Sequence, residues 1–244
     1  MPLFEYVKTI KAMKILGIIG GLGPESTIEY YRFLLAAYRE RRPDGSSPSI
    51  IINSLDVQRG IALLNANQLA ELEDYLVVAV ERLARAGADF ALIAANTPHI
   101  VFDPVQRRSP IPLISIVEAT CEAAQRLKLT RLALLGTGFT MQGRFYPDVF
   151  ARAGIALVVP SKEEQAYIHD KYINELLENI FLPATRDGLL AIVEKMKQRD
   201  QIQGVILAGT ELPLILREVA DQAAIPFLDT TRIHVDRAVT ELLS

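Results

Sequence analysis

The chain has 244 residues, half of them apolar and 23% charged, enough to bury one large core or two modest ones. Its formal net charge of −3, with basic residues scattered, gives no electrostatic reason to expect nucleic acid or an anionic membrane as partner. A single cysteine, Cys121, excludes an internal disulfide, and His99, His169 and His234 lie too far apart in sequence to show metal-ligand spacing. No apolar run approaches the roughly 20 residues of a membrane span, and residues 1–12 lack the apolar core of an export signal. The expectation is a cytoplasmic protein without a metal.

From the N-terminus, Lys14–Gly20 is a nearly continuous apolar run ending in glycines, the pattern of a strand buried on both faces. Ser26–Arg41 follows with helical periodicity through Ile28, Tyr31, Leu34, Leu35 and Tyr38. Ser49–Ser54 predicts a second strand, Asn67–Ala86 a long helix and Phe90–Ala94 a third strand. Ile111–Ile114 predicts a short fourth strand after a proline-marked loop, and Glu118–Leu127 a helix that holds Cys121 as a packing residue. The second half repeats these events: strands at Arg131–Gly136, Ala156–Val159, Gly204–Ala208 and Ile225–Leu228. Helices are predicted at Tyr146–Ala153, Lys162–Asn179, Arg186–Lys197 and Thr231–Leu243. Such alternation argues an α/β fold with parallel sheets covered by helices.

Three segment pairs recur in order: LGIIGGLG with LALLGTGF, LIAANTPH with ILAGTELP, and IPLIS with IPFLD. Gly20 to Ala95 spans 75 residues and Gly136 to Gly209 spans 73, while Ala95 to Ile111 and Gly209 to Ile225 both span 16. Nearly equal spacing of three pairs in order points to duplication of one unit.

Ligands of open parallel sheets bind beyond the carboxyl ends of the strands. After the first strand stands Gly20-Gly21-Leu22-Gly23-Pro24-Glu25-Ser26-Thr27, a tight turn into a helix start that can offer backbone N–H groups to an anion. It is not the GxGxxG of a dinucleotide site. The matching turn, Gly136-Thr137-Gly138-Phe139-Thr140, supplies two hydroxyls. The ends of the third strand in each half place small residues before polar ones, Ala95-Asn96-Thr97-Pro98-His99 and Gly209-Thr210-Glu211. Taken singly, each of these is also ordinary turn and cap chemistry.

The motifs GGLGPESTIEYYR, AANTPH, LLGTGFTMQGRFY, EEQAYIHDKYINELL and VILAGTELPLIL resemble those of the aspartate/glutamate racemase family, in its aspartate-racemase branch, and run in order from about Met13 onward. The resemblance implies two Rossmann-like lobes with parallel sheets related by pseudo-twofold symmetry. On that reading 13–115 with 229–244 forms the N-terminal lobe, 116–228 the C-terminal lobe, and 1–12 an N-terminal extension. It also implies a site in the cleft, no cofactor, a small carboxylate or amino-acid ligand and a homodimer.

In the family, racemisation uses one cysteine at the end of each lobe's third strand, facing the α-carbon from opposite sides. Here those positions hold Ala95 and Gly209. The resemblance therefore implies an isomerase acting on a small acidic amino acid or related carboxylate through noncysteine groups, with Thr97, His99, Thr210 and Glu211 as catalytic candidates. Asn96, Thr97, Thr137, Thr140 and Thr210 match substrate-holding positions, Ser26 is a further candidate near the substrate carboxylate, and His169 and Asp170 match the family's helix motif. Two alternatives stand beside it: a catalytically inactive or regulatory small-acid binding protein, and a lyase or decarboxylase on the same scaffold.

Overall fold

The computed structural model describes residues 13–220 and 223–244; the extension expected at 1–12 lies outside the described residues. Strands β1 (Ile15–Gly20), β2 (Ser49–Ser54), β3 (Phe90–Ile93) and β4 (Leu113–Ile114) form one parallel sheet in the order β2-β1-β3-β4. Strands β5 (Arg131–Gly136), β6 (Ala156–Val158), β7 (Gly204–Ala208) and β8 (Phe227–Asp229) form a second in the order β6-β5-β7-β8. The same order twice is the architectural counterpart of the sequence repeat.

Helix α1 (Pro24–Arg41) follows β1; α2 (Val57–Asn65) and α3 (Leu69–Arg85) lie between β2 and β3. A 3₁₀ turn (Thr97–Val101) and α4 (Phe102–Arg108) lead to β4, and α5 (Ile116–Arg126) crosses to β5. In the second lobe come α6 (Gly138–Gln142), α7 (Phe145–Arg152), α8 (Lys162–Asn174), α9 (Pro183–Asp200) and α10 (Leu212–Ala220), and α11 (Thr230–Leu242) ends the chain.

Alternation along each strand explains the layers. On β1, Leu16 and Ile18 join Tyr30, Leu34 and Tyr38 of α1 and Val235, Ala238 and Val239 of α11 on one face. Ile19, with Ala91 and Ile93 of β3, packs on Leu72, Leu76, Val80 and Leu83 of α3 on the other. The second sheet is likewise sandwiched. Ala133, Leu135, Val205 and Leu207 meet Ile168, Tyr172, Leu189 and Met196 on one face. Leu132, Leu134 and Ile206 meet Val117, Cys121, Tyr146 and Phe150 on the other. Helix α11 returns from the second sheet to pack on α1 and also against α5, tying the lobes together.

Two expectations about elements are corrected, and two helices stand where none was expected. The proline-marked loop after β3 is helical, because Pro104 falls in the first turn of α4, where its missing N–H has no intrahelical partner to lose. Helix α2 begins at Asp56, whose side chain accepts from the Gln58 N–H. Helix α10 occupies Leu212–Ala220, for which no element was expected. The helix expected to reach Asn179 stops at Asn174 and tightens into a 3₁₀ turn closed by Asn179 in the left-handed region.

Candidate active site

The carboxyl ends of β1, β3, β5 and β7 converge between the lobes on a narrow cavity of about 630 Å³, counting its open mouth. The first lobe contributes Leu22 from the turn after β1, Val57, Ile61 and Leu64 of α2, Leu72 of α3, and Ala95, Asn96 and Thr97 after β3. The second contributes Thr137, Phe139, Thr210 and, from α8 and the turn after it, Tyr172, Ile173 and Leu177. One end is apolar. The other carries hydroxyl and amide groups.

The hydroxyls of Thr97, Thr137 and Thr140 form a closed triangle, with Oγ1–Oγ1 distances of 3.0, 3.1 and 3.2 Å. It joins the first lobe to the second. Thr137 also caps α6, its hydroxyl accepting from the Thr140 N–H at 3.3 Å. Each hydroxyl can rotate its proton, so the triangle can present a donor to a carboxylate without losing all its internal bonds.

Asn96 makes a second bridge. Its Oδ1 accepts from the Tyr146 hydroxyl at 2.6 Å, and its Nδ2 donates to Thr230 Oγ1 at 3.1 Å. Thr230 in turn donates to the Leu207 carbonyl at 2.8 Å. Asn96, Tyr146 and Thr230 are all buried, and burial pushes the Tyr146 phenol well up.

Glu211 is 2% exposed. Its Oε2 accepts from the Tyr172 hydroxyl and from Thr210 Oγ1, the latter at 2.8 Å. Burial raises its carboxyl above the usual range, opposed by those two donors. The carboxylate lies against the turn that starts α1: a Cβ on Gly23 would stand 2.9 Å from Oε1. The helix start expected to receive an anion thus has the protein's own carboxylate beside it.

Other candidates lie elsewhere. Ser26 is buried and its hydroxyl donates to the Ala94 carbonyl at 2.8 Å, tying α1 to β3. The structure does not bring His99 to the cavity. Its Nδ1 bonds the Ala95 carbonyl at 3.0 Å, its Nε2 accepts from the Ile116 N–H at 3.2 Å, and its ring stacks on Phe102. Burial, with His234 nearby, pulls its pKa down to about 3, so the ring is neutral and both nitrogens are occupied. His169 accepts from the Gly138 N–H at 3.1 Å through Nδ1, which steadies the turn after β5, and Asp170 bonds Asn174 on the exposed face of α8. Cys121 is buried on α5, away from the cavity lining, with its thiol pushed up by burial. Among the described residues no group of three or more His, Cys, Asp or Glu side chains could hold a metal ion.

Sequence reading missed Tyr172 and Tyr146. The signal for Tyr172 was indirect: a glycine at 209, directly after β7, leaves a side-chain space that something else must fill.

A family model described as Asp/Glu/Hydantoin racemase matches residues 19–238. The chain belongs to that family. It is 24% identical to the broad specificity amino-acid racemase RacX of Bacillus subtilis, over 94% of this chain and 99% of that protein. A Yersinia pestis structure provisionally described as an Asp/Glu racemase superposes with a TM-score of 0.86 at 30% identity, covering 95% of this chain and 100% of the other. An aspartate racemase homologue from Pyrococcus horikoshii gives 0.80 at 34% identity, over 94% and 99%. The family membership fits the two parallel four-stranded sheets and the site between them.

Proposed function

We propose that the chain is a cofactor-independent racemase-like isomerase that inverts the α-carbon of a small acidic amino acid or a related carboxylate. The observation that carries this reading is the cavity at the matched ends of β3 and β7, where Ala95, Asn96 and Thr97 face Thr137, Thr210 and Tyr172. Inversion needs a carboxylate held in place while its α-proton leaves one face and a proton arrives on the other. The hydroxyls of Thr97 and Thr137 provide neutral donors for that carboxylate, backed by the buried Thr140 that bonds both. The residues lining the cavity, among those described, include no lysine or arginine, so the substrate panel should hold uncharged amino acids beside aspartate and glutamate.

The same reading makes the protein a cytoplasmic homodimer, which sedimentation of the purified chain and fractionation of its cells test directly. The activity is tested by incubating the protein with each amino acid of the panel in D₂O. Loss of the α-proton signal together with formation of the opposite enantiomer is the expected result. A full panel that keeps its α-protons and its handedness would leave a protein that binds without turnover, and the reading would fall.

A further inference from the structure

We propose that Tyr172 is the catalytic acid/base of the second lobe, exchanging the substrate's α-proton through its hydroxyl with Glu211 behind it. The inference deepens the racemase reading and rests on it.

Gly209 directly follows β7 and Ala95 lies two residues beyond β3, matched in the repeated unit. The side-chain space that Gly209 leaves is filled by Tyr172, which comes from α8: a Cβ at 209 would overlap the tyrosine ring and stand 2.8 Å from its hydroxyl. The phenol therefore occupies the position a side chain at the end of β7 would take. Among the described residues that line the cavity, Tyr172 is the one titratable side chain; the rest are aliphatic, phenylalanine, proline, threonine, glycine or asparagine. Glu211 is buried and is not part of the lining, so its carboxylate reaches the cavity through the tyrosine hydroxyl that donates to it.

The step balances without an added reactant. As the Tyr172 oxygen takes the α-proton, the phenolic proton passes to Glu211 Oε2. The C–H electron pair stays on the α-carbon and delocalises into the substrate carboxyl group. In the reverse sense Tyr172 gives its proton to that carbanion and recovers one from Glu211. Burial and the neighbouring carboxylate both push the phenol up, which disfavours a free phenolate and makes the coupled transfer the accessible route. Thr210, donating to the same Oε2 at 2.8 Å, holds the carboxyl in line.

The test uses Tyr172→Phe, which keeps the ring over Gly209 and removes only the hydroxyl. In the full-length protein, α-proton exchange in D₂O should fall by about 10²-fold or more, the range for loss of an acid/base group. Stabilisation against heat by the same amino acid should persist. Glu211→Gln should lower exchange comparably and change the pH dependence of the remaining rate. As a rescue, Gly209→Cys should recover exchange in a Tyr172→Ala background, where space has opened for a thiol. Exchange by Tyr172→Phe within threefold of wild type would overturn the proposal and leave the racemase reading standing. Wild-type protein that exchanges no member of the panel would instead remove the racemase reading, and the proton-transfer role with it.

Discussion

Asn96→Ala removes the centre of the buried bridge between the lobes and should destabilise the protein by about 2–4 kcal/mol. Two hydrogen bonds disappear, at 2.6 Å from Tyr146 and 3.1 Å to Thr230, the second worth about 1 kcal/mol net. Thr230 keeps its bond to the Leu207 carbonyl. The Tyr146 hydroxyl is fully buried, and stranding such a group costs about 1–3 kcal/mol. Thr120 is close enough to Tyr146 to offer a second partner, which places the sum toward the middle of the range. For a chain of this length each kcal/mol moves Tm by about 2–4 °C, so a fall of roughly 5–15 °C is expected. Urea denaturation of wild type, Asn96→Ala, Tyr146→Phe and the double variant gives the coupling directly. Residues in one buried network couple by about 0.5–3 kcal/mol. A loss below about 0.5 kcal/mol for Asn96→Ala, or strict additivity in the double variant, would show that the bridge does not hold the lobes.

His99 and His234 are buried and neutral, their pKa values pulled by burial to about 3 and about 4. The unfolded chain takes up their protons near pH 6.5 while the folded one does not, so stability is lost as pH falls from there toward 4, by about 1.4 kcal/mol per unit for each ring. The raised carboxyls of Glu211 and Asp229 work in the opposite sense lower in that window. The imidazole C2 proton resonances of both histidines should therefore stay at their neutral positions from pH 7 to 5, and a midpoint near 6.5 for either would contradict the burial argument. Thr97→Val opens the hydroxyl triangle but leaves Thr137 and Thr140 bonded to each other; stability should drop by about 1 kcal/mol while KM rises at least tenfold. Unchanged KM would separate the triangle from substrate. Leu64→Arg places a cation on the apolar wall and should shift kcat/KM at least tenfold toward acidic over aliphatic amino acids; an unchanged ratio would place the substrate side chain elsewhere.

The strands were legible because strands covered on both faces carry unbroken apolar runs, and β1, β5 and β7 are of that kind. Duplication was legible because strand ends recur at fixed spacing, and a common spacing survives changes in side chain. Helix α2 was not anticipated, although Val57, Ile61 and Leu64, which wall the cavity, fall at i, i+4 and i+7 on one helical face. The family resemblance drew attention to His99, but its nitrogens bond Ala95 and Ile116, and the contact with Ile116 joins residues 17 apart that no local pattern links. The reverse holds for Tyr172. With Ile168 and Leu176 it falls on the i, i+4, i+8 stripe of α8 and the turn after it, which reads as core and is core. It becomes chemically distinct only because the same ring crosses to the end of β7, where Gly209 leaves room, and meets Glu211, 39 residues later in the chain. The polar bridges of the site span still more: Asn96 meets Tyr146 and Thr230 at separations of 50 and 134 residues. Local periodicity places strand ends, whereas the chemistry between them depends on how two distinct sheets face one another. A glycine at a strand end is the one local sign that another element has supplied the missing side chain.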